Sequence, residues 1–341
     1  MYLHPSLLLL VPLAAASAGT SWPPFSSLPL TRPGPRGNAW GLFGPASTDQ
    51  LGMLNLLTPS NTVSAAREIR SGIRVSLDWA LDLPRQGFFG RPPLQHTVSP
   101  LGPNAFADNI TLNTQSSSQW DGFRHYGYAD AEGPTWFGGR TREQTLQGDT
   151  LGINVWVENG GIVGRGVLLD YALWAGKNNI TVSPFTAQTI PASHLSSVAR
   201  DSGIKFRPGD ILFIRSGFTA AWNLLSPAQE TALQARAAPE YIGVEPSEDT
   251  LRWLWERRFA AVAGDAPAFE VASKEGAMGE AQFSLHAWLL AGWGMPVGEM
   301  FDLEGLSDEC RRNKRWTFFV SSVPLKIPGG VAGPPNAVAI F

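Results

Sequence analysis

Gln115-Ser116-Ser117-Ser118-Gln119-Trp120-Asp121-Gly122-Phe123-Arg124-His125 is the stretch around which the rest of the chain can be organised. Gln115, Gln119, Asp121 and His125 are separated by even numbers of residues, so an extended strand projects all four from one face. That face carries two amides, a carboxylate and an imidazole. Far downstream, His286 and Glu299 offer a second imidazole and a second carboxylate. Activating water needs such a set: an oxygen ligand or base, a group titrating near neutrality, and room for a metal.

Composition bounds what this constellation can belong to. A chain of 341 residues with 43% hydrophobic and 16% charged residues buries a sizeable core and is not a disordered sequence. A net charge of -3 gives no electrostatic case for nucleic acid. The 36 glycines and 27 prolines predict many short strands and turns over long helices, and the 13 tryptophans predict rigid aromatic walls in a core, pocket or interface. Cys310 is the single cysteine, which excludes an intrachain disulfide and any CxxC motif.

Along the chain, strand and helix signals alternate without a strict βαβ rhythm, and no internal repeat or clean linker divides it. Three segments are expected: a leader over 1–18, an irregular Pro/Gly/Ser-rich arm over 19–44, and one α/β domain over 45–341. Residues 60–69 read as a helix. Residues 73–81, 151–157, 161–170, 211–215, 259–263 and 296–301 read as strands, and 250–258 and 285–290 as helices. Residues 89–107 read as a long loop, suited to a lid over a pocket.

Residues 7–16 form an apolar run followed by Ala16-Ser17-Ala18, a small-residue pattern that fits signal-peptidase cleavage before Gly19. The run is too short to leave a membrane span in the mature chain. Asn109-Ile110-Thr111 and Asn179-Ile180-Thr181 are glycosylation sequons, consistent with export. The n-region lacks Lys and Arg and Pro12 interrupts the run, which is what a cytosolic tail would also show.

The chain resembles the cyclase family that includes bacterial kynurenine formamidase and isatin hydrolase, and most of all its longer fungal branch. The family signature is His-x-Gly-Thr-His-x-Asp-x-Pro-x-His. On this sequence Asp121 falls on the Asp and His125 on the last His, while Gln115 and Gln119 occupy the two earlier His positions. His286 and Glu299 match the family's downstream His and Glu. Further likeness lies in Leu54-Asn55-Leu56-Leu57-Thr58-Pro59, Arg207-Pro208-Gly209-Asp210-Ile211-Leu212 and Ala263-Gly264-Asp265-Ala266-Pro267. The resemblance implies a swivelling β/β/α fold, a homodimer with pockets near subunit contacts, and a small aromatic or cyclic substrate.

In dinuclear members of that family the two early histidines and the Asp hold one metal, and the Asp, downstream His and Glu hold the other. An amide oxygen is a poor ligand beside imidazole, so Gln115 and Gln119 weaken the first site. The resemblance thus implies one divalent ion, zinc or manganese, on Asp121, His286 and Glu299. His125 and Asp121 would serve as the acid/base residues, with Gln115, Gln119, Trp120 and Phe123 lining the substrate site. Each position also has a plain structural reading: Asp121 beside Gly122 as a turn residue, His286 as a core histidine, Trp120 and Phe123 as core aromatics, and Asp265 as a turn residue or an orienter of a histidine. Three functions follow: an amide or ester hydrolase of the arylformamidase type, a metal-free lyase, dehydratase or cyclase of secondary metabolism, and an inactive protein that binds an aromatic ligand. If the leader reading holds, native exported material begins at Gly19; N-terminal sequencing that finds Met1 intact on cytosolic protein would overturn it.

Overall fold

The computed structural model describes residues 22–129, 133–236, 240–273 and 282–341. The leader over 1–18 lies outside these. The strands are β1 (Arg74–Ser76), β2 (Gln95–Gly102), β3 (Ala105–Thr111), β4 (Gln119–Asp121), β5 (Ile162–Asp170), β6 (Thr189–Ile190) and β7 (Ile211–Arg215). They continue with β8 (Gly243–Val244), β9 (Ala261–Gly264), β10 (Val297–Glu299), β11 (Thr317–Ser322), β12 (Ala332–Gly333) and β13 (Ala337–Ile340). Nine of them form one sheet in the order β1-β13-β11-β5-β7-β9-β10-β4-β12.

The middle of that sheet is parallel, β5-β7-β9-β10, and it becomes antiparallel at β4 on one side and β11 on the other. Parallel strands covered on both faces read as continuous apolar runs. Ile211-Leu212-Phe213 and Ala261-Val262-Ala263 are such runs, and all six residues are buried. Helices cover the sheet and are cut by local chemistry. In the helix Glu248–Arg257, the Ser247 hydroxyl accepts the Thr250 N–H, acids fill the first turn, and Arg258 ends it in the left-handed region. The result is a mixed α/β fold, the class expected from the sequence.

Four sequence readings need correction. Residues 89–107 are not a lid loop: β2 and β3 pair as an exposed antiparallel hairpin from Gln95 onward. Residues 151–157 are not a strand. Leu151 turns at φ 63 and Asn154–Glu158 is a short helix, with Ile153 and Trp156 buried at helical rather than alternating spacing. The strand read over 73–81 pairs only through β1 and one bridge at Asp78. The helix expected over 285–290 is a wider π-helical turn, Ala287–Trp293, closed by Gly294 at φ 61.

The described part of the arm is irregular in backbone but tightly seated. Phe25 stacks on Trp288, the Trp40 indole donates to the Ala291 carbonyl at 2.8 Å, and the Trp293 indole donates to the Gly37 carbonyl at 2.9 Å. A Cβ on Gly37 would fall 1.9 Å from the Trp288 ring, so only glycine lets the arm approach this closely. The arm therefore clamps the turn that follows His286.

Asp265, just beyond β9, is neither a simple turn residue nor an orienter of histidine. Its carboxylate accepts Ser216 N–H and Oγ–H at 2.7 and 2.6 Å, and the Gly217 and Phe218 N–H groups at 2.8 and 2.9 Å. It thus fixes the loop after β7 at the start of the helix Phe218–Trp222. Asp265→Ala leaves those buried donors without an acceptor. We expect a loss of about 3 kcal/mol or more in denaturant unfolding, and a loss below ~1 kcal/mol would contradict this role.

Candidate active site

The site lies where the sheet changes from parallel to antiparallel. β10 pairs with β4 so that Glu299 stands opposite Gln119 and Val297 opposite Asp121. Gln119 and Glu299 therefore share a face, and Gln119 Nε2 donates to Glu299 Oε2 at 2.8 Å. Asp121, two residues on, shares that face, and Gln119 Nε2 also reaches its Oδ1 at 3.2 Å.

The four residues of the opening motif do converge, but not along one strand. β4 is three residues long, and turns at both ends bring in the others. Before it, three buried serines anchor the chain: Ser116 Oγ donates to the Asn113 carbonyl, Ser117 Oγ to that of Ala80, and Ser118 Oγ to that of Met300. This sets Gln115 Nε2 at 2.6 Å from Asp121 Oδ1 and 3.2 Å from His125 Nδ1. After β4, a turn closed by His125 N–H on the Gly122 carbonyl folds His125 back, with Nε2 at 3.7 Å from Asp121 Oδ2.

His286 enters from the start of the π-helical turn. Its backbone N–H donates to Glu270 Oε2 at 2.9 Å, and its Nδ1 lies 3.3 Å from the same oxygen. On the other side, Nε2 is 3.1 Å from Glu299 Oε1 and 3.8 Å from Asp121 Oδ2. The sequence reading missed Glu270, although an acid within the apolar run Phe269-Glu270-Val271 carries the same signal that singled out Glu299. It also missed Arg91, whose Nη1 donates to the Gln115 carbonyl at 2.8 Å.

Two expected substrate contacts are instead core. Trp120 points to the opposite face of β4, packs on Phe301 at 5.0 Å and donates to Ser322 Oγ. Phe123 is enclosed by Phe137 and Trp156. Gln119 is fully buried with its amide given to two carboxylates, whereas Gln115 stays at the edge. Tyr126 stands edge-on to the His286 ring at 5.6 Å.

The electrostatics separate the two imidazoles. Burial pushes the His286 pKa down, but Glu270, Asp121 and Glu299 outweigh it and raise it well above the ordinary value. Burial lowers that of His125; Asp121 opposes this, and the charges of His286 and Arg91 add to the lowering. Asp121 is raised by burial yet held below its ordinary value by His125 and His286, while burial and then Asp121 raise Glu299.

The donor set fits a divalent ion. Asp121, His125 and His286 each offer a ligand atom, all within 4.8 Å of one another. Asp121 Oδ2 is buried with no hydrogen-bond partner, although both imidazoles face it. Nδ1 of His286 makes no hydrogen bond but lies 3.3 Å from Glu270 Oε2, on the side where metal-bound histidines keep a carboxylate. The expected set was Asp121, His286 and Glu299; this group contains His125 and not Glu299, whose oxygens accept from Gln119 and the Phe269 N–H and lie 3.1 Å from His286 Nε2. The glutamines turn their N–H groups, not their oxygens, onto the carboxylates; the reverse orientation would set oxygen against oxygen.

In metal-free protein, His286 should keep its proton above pH 6.5 and His125 should lose its own below that value. Imidazole NMR titration checks the order, and a His286 that deprotonates first would show the carboxylate cage to be misassigned.

The family model described as "Putative cyclase" matches residues 48–271. A solved structure described as a novel cyclase is 30% identical, with 89% of this chain and 99% of that chain covered and a TM-score of 0.77. Isatin hydrolase A from Labrenzia aggregata, bound to benzyl benzoate, is 18% identical over 84% of this chain and 98% of its own, with a TM-score of 0.54. Isatin hydrolase A from Ralstonia solanacearum is 16% identical over 83% and 98%, with a TM-score of 0.55, and these two share the fold. No curated protein matches the chain. With the family model spanning more than half of the sequence and a relative of the same description covering most of it, the chain belongs to the cyclase family.

Proposed function

We propose that the protein is a hydrolase of small aromatic or cyclic amides or esters, working with one divalent ion, zinc or manganese, on Asp121, His125 and His286. The observation that carries this reading is Asp121 Oδ2: a buried carboxylate oxygen with no hydrogen-bond partner, faced by two imidazole nitrogens at 3.7 and 3.8 Å. A buried carboxylate oxygen that receives no hydrogen bond is costly, and a shared cation offsets that cost.

Such an ion lowers the pKa of water and polarises a carbonyl. The rest falls to the chain. Gln115 and Gln119 hold Asp121 by Oδ1 and leave Oδ2 turned to the imidazoles. Glu270 holds His286 in orientation. His125, with 17% of its side chain exposed against 1% for His286, marks the side from which substrate approaches. Burial and then Asp121 raise the proton affinity of Glu299, whose Oε1 lies 3.1 Å from His286 Nε2, and we assign it the task of moving a proton.

One observation favours a second reading. His286 already lies between Glu270 and Glu299, so the buried carboxylates have a countercharge without any ion. His125 and Asp121 would then be an acid/base pair for a dehydration or ring closure.

Elemental analysis of dialysed, untagged protein separates the two: one ion per chain supports the first, active metal-free protein the second, and two tightly held ions would contradict the reading of the glutamines. His125→Asn should lose the ion and ~10²-fold or more in turnover of aryl amides, lactams or phenyl esters. Glu299→Gln should keep the ion and lose turnover; the opposite result would return Glu299 to the ligand set.

A further inference from the structure

A cleft of about 580 Å³ opens between residues 86–93 and the end of the helix Pro227–Gln234, and none of the chemistry above uses it. Among the described residues its charged lining is Arg91 and Arg236, with no carboxylate, and Phe88, Phe89 and Tyr241 supply an aromatic wall. Phe89 is held at φ 57, a conformation that bulky residues rarely adopt, and 41% of it stays exposed. Its ring meets Tyr241 edge-on at 6.4 Å, and the Arg91 guanidinium lies 5.4 Å over it. Tyr241 is braced from behind by Phe88 and Phe218 at 5.2 and 5.5 Å. The backbone is strained to present a fixed aromatic face beside a cation.

Arg91 connects this cleft to the catalytic cluster. Its Nη1 donates to the Gln115 carbonyl, and the Gln115 side chain in turn donates to Asp121 Oδ1. Among the described residues that carbonyl is the one hydrogen-bond acceptor of the guanidinium, which leaves most of a half-buried fork for a ligand. Arg236 donates to the Phe185 carbonyl at 2.8 Å and stands exposed at the rim. The cluster is buried and lined by Asp121, Glu270 and Glu299, so an acidic substituent remote from the reacting carbonyl has to be recognised outside it.

Building on the hydrolase reading, we propose that this cleft binds the carboxylate of an aromatic substrate, with Arg91 as the specificity-determining residue and Arg236 as a secondary contact. Tryptophan-fluorescence titration with benzoate and its neutral isostere benzamide tests this without measuring turnover. Absent hydrolysis would therefore sink the enzymatic reading and leave the binding result standing. Wild type should prefer benzoate by ~10-fold or more. Arg91→Gln should abolish that preference with an unchanged melting temperature, Arg91→Lys should keep part of it, and Arg236→Gln should reduce it by a smaller factor. Equal binding of the two probes by wild type would overturn the proposal. So would benzoate binding that survives Arg91→Gln but is lost in His286→Asn, since the carboxylate would then sit on the catalytic cluster.

Discussion

Burying Asp121, Glu270 and Glu299 together around His286 is the constraint to which the surrounding structure answers. Each is at most 2% exposed, and a buried charge persists only where partners replace water. Glu270 meets the His286 backbone and ring, Glu299 meets Gln119, Phe269 and His286, and Asp121 meets both glutamines. The same logic extends along the sheet. Asp170 and Arg215 close β5 and β7, Asp265 follows β9 and Glu299 closes β10, so buried charge collects at the carboxyl ends of the parallel strands. Open α/β sheets place their ligand crevices at these ends.

Holding that cluster needs rigid elements on both sides. The three serines before β4 pin a segment with no ladder of its own, and Ser118 also accepts the Trp79 N–H. The arm and the π-helical turn form the other wall, with Trp288 and Trp293 gripping Phe25 and the Gly37 carbonyl. A wide turn is less regular than an α-helix, and it stands here because the arm covers it.

The two glutamines change what the cluster can hold. Imidazole would bring a ligand lone pair to each position; an amide brings N–H donors. Gln119 bridges Asp121 and Glu299 through one nitrogen, which ties down Glu299 and leaves Asp121 Oδ2 to the two histidines. In the proposed hydrolase the chemistry therefore falls to His125, the more exposed of the two clustered imidazoles.

Much of this was legible in the chain. The buried strands at 161–170 and 211–215 and the capped helix at 250–258 were readable because burial and polarity leave local patterns, and Asp121, His125, His286 and Glu299 stood out through the family resemblance. The even spacing of Gln115, Gln119, Asp121 and His125 located the cluster but misstated its geometry, since turns and not a long strand bring the ends together. Short apolar runs such as 151–157 do not declare their period, and the hairpin β2-β3 is too exposed to alternate in hydrophobicity. Trp120 and Phe123 could not be sorted between pocket and core from sequence, because that depends on what packs on each face of the sheet at β4 and on how the chain turns after it. The sequence by itself determined the family, the strand-rich α/β class and the residue types at the site. Tertiary structure alone decided which side chains share a charge, because Glu270, Glu299, Arg91 and Asp121 become neighbours only through contacts between distant segments.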